Sequence, residues 1–169
     1  MLYKNATKSP KERARELLAR MSIEEKVGQL NQRLLGFSIY QRQGDDIQLT
    51  NDFQQEVQRF SGLGVLYGLY RADPWSGRDY ETGLSGIHMK QAYNQVQRYV
   101  LSHSRLGIPM LLSSECPHGH QALDGYLLPV NLAMGAAWNP ELIEKAYQVC
   151  GAQLRELGVD YALISMLDI

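Results

Sequence analysis

Arg105–His120 reads RLGIPMLLSSECPHGH, and the fold turns on how that stretch is read. Ile108–Leu112 is a short apolar run entered through Gly107 and Pro109. It leaves into Ser113 and Ser114, and then into Glu115-Cys116-Pro117-His118-Gly119-His120. An apolar run of this length, bounded by turn signals, suits a strand buried in a parallel sheet. In α/β folds ligands are met at the loops that follow the carboxyl ends of such strands. A carboxylate and two imidazoles on that loop make a candidate site.

Working outward, Gly64–Tyr70 (GVLYGLY) reads as the preceding strand. Its glycines suit a close backbone approach. Between the two strands, Met89, Ala92, Tyr93, Val96, Tyr99 and Val100 mark an amphipathic helix ending near His103. His103 reads as a surface partner of that helix end, and His88 is assigned nothing. Downstream, Leu127-Leu128-Pro129-Val130 and the run to Trp138 lead into Asn139-Pro140, a cap followed by a first-turn proline. Leu142, Ala146, Val149, Cys150 and Leu157 are expected to line the buried face of the helix that follows. Gly158 ends it, and Val159–Leu167 is expected to be a third strand. Strand, helix, strand, helix, strand implies parallel crossovers.

Upstream, Ser9-Pro10-Lys11-Glu12 and Ser22-Ile23-Glu24-Glu25 each read as a capping box, so two successive helices are expected. Ala14, Leu17, Leu18 and Met21, then Ile23, Val27, Leu30 and Leu34, recur at helical spacing and are expected to cover a core. Gly36–Asn51 has no clear period and reads as a loop. Asn51 is expected to cap a helix that buries Phe53, Val57 and Phe60 and stops at Gly62.

The chain has 169 residues and a hydrophobic fraction of 44%, enough for one domain with its own core. A net charge of −1 points to neither nucleic acid nor an acidic membrane surface. No apolar run is long enough to span a bilayer, and MLYKNATKSPKER has no apolar stretch of the signal-peptide kind, so a cytoplasmic location is expected. Asn5-Ala6-Thr7 is then a chance match to a glycosylation acceptor. The two cysteines, Cys116 and Cys150, are too few for a disulfide scaffold. No cofactor is expected.

Several side chains could carry chemistry. Glu115, at a strand end, can accept hydroxyl hydrogen bonds on both oxygens, which suits a sugar. The alternative is a structural role, paired with Arg105 or with a backbone nest. Arg71-Ala72-Asp73-Pro74-Trp75-Ser76-Gly77 forms a turn-rich loop at the end of the first strand and would share a face with Glu115. Trp75 could stack on a sugar ring, or plug the rim while Arg71 pairs with Asp73. Cys116, His118 and His120 have a Cys-x-His-x-His spacing but lack a fourth zinc ligand, so no metal site is assigned. Ser113 or Ser114 with His118 suggests nucleophilic catalysis only faintly, because no G-x-S-x-G elbow is present.

RLGIP, an apolar strand, an acidic residue and HGH together resemble the second barrel strand of glycoside hydrolase family 3, the β-glucosidase-like enzymes. LPVNLAMGAAWNPELIEKAYQVCGAQLRELGVDYALISMLDI resembles that family's following segment, and MSIEEKVGQL its opening helix. The resemblance covers nearly all of the chain. It implies an α/β fold of (β/α)8 TIM type. A full barrel takes roughly 250 residues, so residues 1–169 are expected to be an incomplete barrel, the N-terminal fragment of a longer retaining β-glycosidase. It also implies that Glu115 binds the terminal sugar and is not the nucleophile. The family has Asp there, one methylene shorter. His118 would lie near the site, giving Glu115, His118, Arg71 and Trp75 as substrate-binding residues. No catalytic residue is assigned, because the family's nucleophile and acid/base come from later segments. Asp168 is read as a tether of its strand end. The expected partner is an oligosaccharide or β-glycoside, and the incomplete barrel is expected to self-associate. The rival readings are a non-catalytic carbohydrate-binding module of the same origin and a small metal-dependent hydrolase.

Overall fold

The structure is a computed structural model and describes residues 1–164. Asp168 lies outside the described residues. Helix α1 (Pro10–Arg20) and helix α2 (Ile23–Leu30) each begin with the expected capping box. Ser9 and Glu12 satisfy one another's backbone N–H groups, as do Ser22 and Glu25. The second box interrupts what would otherwise be one helix. A hairpin follows, β1 (Tyr40–Gln43) and β2 (Asp46–Leu49), then α3 (Asn51–Phe60) and β3 (Val65–Tyr67). The remaining elements are α4 (Ile87–His103), β4 (Leu111–Glu115), a short α5 (Asn131–Gly135), α6 (Pro140–Glu156) and β5 (Tyr161–Leu163).

The fold is mixed α/β. β3, β4 and β5 form one parallel sheet in that order, joined by the helical crossovers expected from the sequence. Leu66 and Leu112 pair at its centre and are fully buried. Phe53, Val57, Ala92, Val96 and Val100 from α3 and α4 pack with them in one core.

β4 starts at Leu111, three residues later than the apolar run suggests. The cause is Gln97 on α4. Its side-chain amide donates to Met110 O at 2.6 Å and accepts from Met110 N at 3.1 Å. Met110 therefore spends its backbone groups on a side chain, and the ladder opens one residue on, with Leu111 N donating to Gly64 O at 2.9 Å. β5 is pinned likewise: Asp160 accepts from Leu112 N through its carboxylate and donates its own N–H to Leu112 O, both at 2.9 Å.

Four further expectations need correction. Residues 36–51 are not an irregular loop: Gly36–Ser38 form a short 3-10 turn, and β1 and β2 then pair as a hairpin around Gly44-Asp45. Their polar composition masks four buried anchors, Phe37, Ile39, Tyr40 and Ile47. Helix α3 is flanked by Thr50 and by Ser61 in the left-handed conformation, rather than by Asn51 and Gly62. On α2 the apolar stripe faces outward, with Ile23 75% and Leu30 88% exposed. The helix packs instead through Glu25, gripped by the Arg105 guanidinium at 2.6 and 2.9 Å, and through Gly28. On α6 only Cys150 and Leu154 are buried, while Leu142 and Val149 are exposed. The outer edge of β3 is also partly covered, because Leu35 bridges Tyr67 in parallel.

Among the described residues, no helix is long and apolar enough to cross a membrane. One polar pair lies deep in the core: His120 is fully buried, its Nε2 3.0 Å from Ser114 Oγ and its ring edge-on to Tyr70.

Gly64 and His120 generate separate predictions. A Cβ on Gly64 would sit 2.0 Å from Gln29 O, where the chain leaving α2 crosses the start of β3. Gly64→Ala should therefore cost about 2 kcal/mol or more in urea unfolding. Gly151→Ala, in the exposed part of α6 where a Cβ meets nothing, should instead gain about 0.5–1 kcal/mol. Equal effects at the two positions would refute this contrast. Burial pushes the His120 imidazole down to about 4 from its ordinary 6.5. As pH falls the unfolded chain takes up that proton first, so stability is full above 6.5 and declines towards about 4. The loss should be on the order of 3 kcal/mol and should be absent in His120→Gln. A wild-type-minus-variant difference that stays flat across that range would exclude this role.

Candidate functional site

Glu115 is the last residue of β4 and Tyr67 the last of β3. Tyr67 pairs in register with Ser113, so Glu115 lies two residues further along on the same face. The Tyr67 hydroxyl donates to Glu115 Oε2 at 2.5 Å, and Arg71 Nη1 stands 3.5 Å from that oxygen. Arg71 also donates to the Tyr67 hydroxyl. Burial, helped by the adjoining carboxylate, pushes the Tyr67 phenol up to about 12, which keeps it a neutral donor. Among the described residues Glu115 is anchored through Oε2, and its Oε1 accepts no hydrogen bond.

The loop after β3 supplies the rest. Arg71 forks onto Asp73 Oδ2, with Nε at 2.7 Å and Nη2 at 2.6 Å. Burial alone would raise the Asp73 carboxyl, but the bonds from Arg71 and Ser76 and the Arg71 charge hold it below the usual carboxylate range. Asp73 therefore serves to fix Arg71. The Arg71 guanidinium stacks 4.5 Å from the centroid of Trp75, whose ring is edge-on to Phe37 at 5.1 Å. Trp75 remains 58% exposed, so it is not the buried rim plug that was the alternative reading. The Arg71–Asp73 pair of that reading is nevertheless present. Three of the four expected binding residues, Glu115, Arg71 and Trp75, thus stand together. Arg105, the other candidate partner of Glu115, pairs with Glu25 instead.

His118 stands apart. It is half-buried on the loop after β4, with Nε2 3.1 Å from the side-chain amide of Gln121, and it shares no hydrogen bond with the cluster among the described residues. That loop is tightly built. A Cβ on Gly119 would fall 2.0 Å from Tyr126 O, and its φ of 90° is one that side-chain-bearing residues rarely adopt. Helix α6 braces the loop through Tyr147, which donates to Pro117 O at 2.7 Å, and through Gln153, which bonds Asp124 O and Tyr126 N. His120 points into the core. Burial pushes the Cys116 thiol up to about 12, so it is no ready thiolate ligand or nucleophile. Among the described residues, no three His, Cys, Asp or Glu side chains are grouped to hold a metal ion.

Sequence reasoning missed Tyr67, which is legible as the last residue of the GVLY run once the strand register is known. It also missed Phe37, whose position depends on the hairpin.

A family model described as the glycosyl hydrolase family 3 N-terminal domain matches residues 22–169. A protein of Formosa agariphila bearing a β-xylosidase name is 25% identical over 93% of this chain and 19% of its own length. β-Glucosidase C of Emericella nidulans is 26% identical over 99% of this chain and 26% of its own length. In three dimensions the chain superimposes on a β-glucosidase of Erythrobacter marinus with a TM-score of 0.71 at 24% identity, covering 99% of this chain and 20% of that one. The chain thus spans about a fifth to a quarter of the length of these relatives. The family match extends from α2 through the last strand, and on that match the chain belongs to glycosyl hydrolase family 3.

Proposed function

We propose that residues 1–169 supply the first three parallel strands of a (β/α)8 barrel in a retaining β-glycosidase that removes terminal sugars, together with part of its sugar-binding subsite. The observation that carries this reading is Glu115 at the carboxyl end of β4, with Oε2 held by Tyr67 and Arg71 and with an exposed Trp75 beside it. The family membership and the names of the relatives support the substrate class. Glu115 accepts a sugar hydroxyl on Oε1, Arg71 supplies positive charge beside it, and Trp75 offers an apolar face. His118 contributes from the neighbouring loop. Retaining hydrolysis needs two free carboxyl groups about 5 Å apart. The family resemblance implies that Glu115 acts as a ligand and that the nucleophile and acid/base come from other segments; among the described residues the other carboxylate of the network, Asp73, is paired with Arg71, which agrees with that reading. The same feature favours, as a second reading, a carbohydrate-binding module that does not cleave.

The purified chain should therefore show no turnover of aryl β-glycosides. Glu115→Gln should weaken binding of methyl β-D-glucopyranoside by about tenfold or more, as expected for loss of a charge-assisted hydrogen bond. Saturable hydrolysis that disappears in Glu115→Gln would overturn the assignment of Glu115 as a ligand only. The chain on its own should also self-associate, because Leu132 at 88% and Trp138 at 91% exposure leave apolar surface uncovered. Light scattering at low micromolar concentration checks this, and a compact monomer would refute it.

A further inference from the structure

Residues 68–86 connect β3 to α4, and the 71–86 part of that loop carries Arg71, Asp73 and Trp75. Loops this long are mobile unless something holds them, and those near a site are commonly functional. Ala72, Tyr80 and Gly86 bond it to Gln121 and Asp124 of the loop after β4, and two arginines tie it to the hairpin side, one in each direction. Arg78 reaches from the loop into the hairpin. Its Nε donates to Phe37 O at 2.9 Å, and its Nη2 donates to Phe37 O at 2.5 Å and to Tyr40 O at 2.9 Å. Its Nη1 returns to Thr82 O at 3.0 Å, and the guanidinium lies 4.5 Å from the Tyr40 ring centroid. Arg42 reaches back from β1, donating to Gly83 O and Gly44 O, both at 2.6 Å, and to Tyr80 O. Among the described residues neither arginine pairs with a carboxylate. The residue whose carbonyl takes two of the Arg78 bonds, Phe37, is also the residue whose ring meets Trp75.

We propose that Arg78 is a positioning residue for ligand binding: by tying the 71–86 loop to the backbone of Phe37 and Tyr40, it holds Trp75 beside Glu115 as the wall on which the apolar face of a sugar ring packs. The sugar part of this inference rests on the reading of Glu115 as a sugar ligand. Lysine cannot replace Arg78, because an ammonium has no planar fork to span two carbonyls and stack on Tyr40. Glu115 and Tyr67 sit on strands the clamp does not touch, whereas Trp75 sits on the clamped loop.

The chain contains two tryptophans, Trp75 and Trp138, which makes the test direct. In a Trp138→Phe background Trp75 is the sole reporter. There Arg78→Lys should raise acrylamide quenching of the ligand-free protein about twofold and weaken methyl β-D-glucopyranoside binding about tenfold, as loss of an aromatic contact would. In a Trp75→Phe background Arg78→Lys should leave quenching of Trp138 unchanged. Phe37→Leu, which keeps Arg78 but removes the edge-on ring, should loosen Trp75 in the same way and carries the test should Arg78→Lys fail to fold. Unchanged Trp75 quenching in both variants, or equal loosening at Trp138, would overturn the positioning role. Binding lost in Glu115→Gln but indifferent to Trp75→Ala would overturn the wall and leave the Glu115 reading standing. A parent chain that binds no glycoside would refute the Glu115 reading and the wall together, while the quenching arm still decides whether Arg78 holds Trp75.

Discussion

The side-chain amide of Gln97 decides where β4 begins, and most of the site follows from that. By taking both backbone groups of Met110, it forces the parallel ladder to open at Leu111. From there the register places Tyr67 against Ser113 and carries Glu115 to the strand's last position. A slip of one residue would send every side chain of β4 to the opposite face. Leu112 would then leave the core and Glu115 would turn away from Tyr67. Asp160 repeats the device on the other side, where its carboxylate engages Leu112 N and sets β5. β4 is thus held by hydrogen bonds on both flanks before any side chain of the site is considered.

Charge at the strand ends is arranged as a chain rather than a pair. Asp73 takes two of Arg71's donors and is held ionised by them. The remaining side of that guanidinium faces Tyr67 and Glu115, so the arginine enters the site already oriented. Tyr67 stands between Arg71 and Glu115 and donates to the carboxylate. A buried arginine with only one acid partner would retain an unspent preference for anions, whereas one shared between two carboxylates is less demanding.

Much of this was legible in the sequence, for physical reasons that can be named. The capping boxes at Ser9 and Ser22 are local hydrogen-bond patterns and are found as written. The α4 stripe from Met89 to Val100 is buried because it faces the sheet along most of its length. The same periodicity failed on α2, where Ile23 and Leu30 point to solvent while Glu25 is buried. Period identifies a helix, but burial depends on the partner surface, and Arg105 provides one that prefers a carboxylate. The hairpin at 40–49 was hidden because its outward side is rich in Gln, Arg and Asp, leaving few apolar residues to alternate. The Gly44-Asp45 turn was the usable signal. At the site, Glu115 could be read from the end of an apolar run, and Arg71 with Trp75 from the loop after the previous strand. Tyr67 needed the register and Arg78 needed the hairpin, and neither is a local property.

The clamp between the hairpin and the 71–86 loop takes its hydrogen bonds from main chain alone. Every acceptor of Arg78 and Arg42 named above is a backbone carbonyl. Those hydrogen bonds do not recognise the identity of the residues they grip, and the one side chain the joint reads is the Tyr40 ring under Arg78. Substitutions at Gln41, Gln43 or Gln48 can accumulate without loosening it, provided the two-strand backbone is kept. The two arginines have no such freedom. The outward residues of the hairpin can therefore drift in sequence, whereas the buried Tyr40 and Ile47, and with Tyr40 the ring on which Arg78 stacks, cannot.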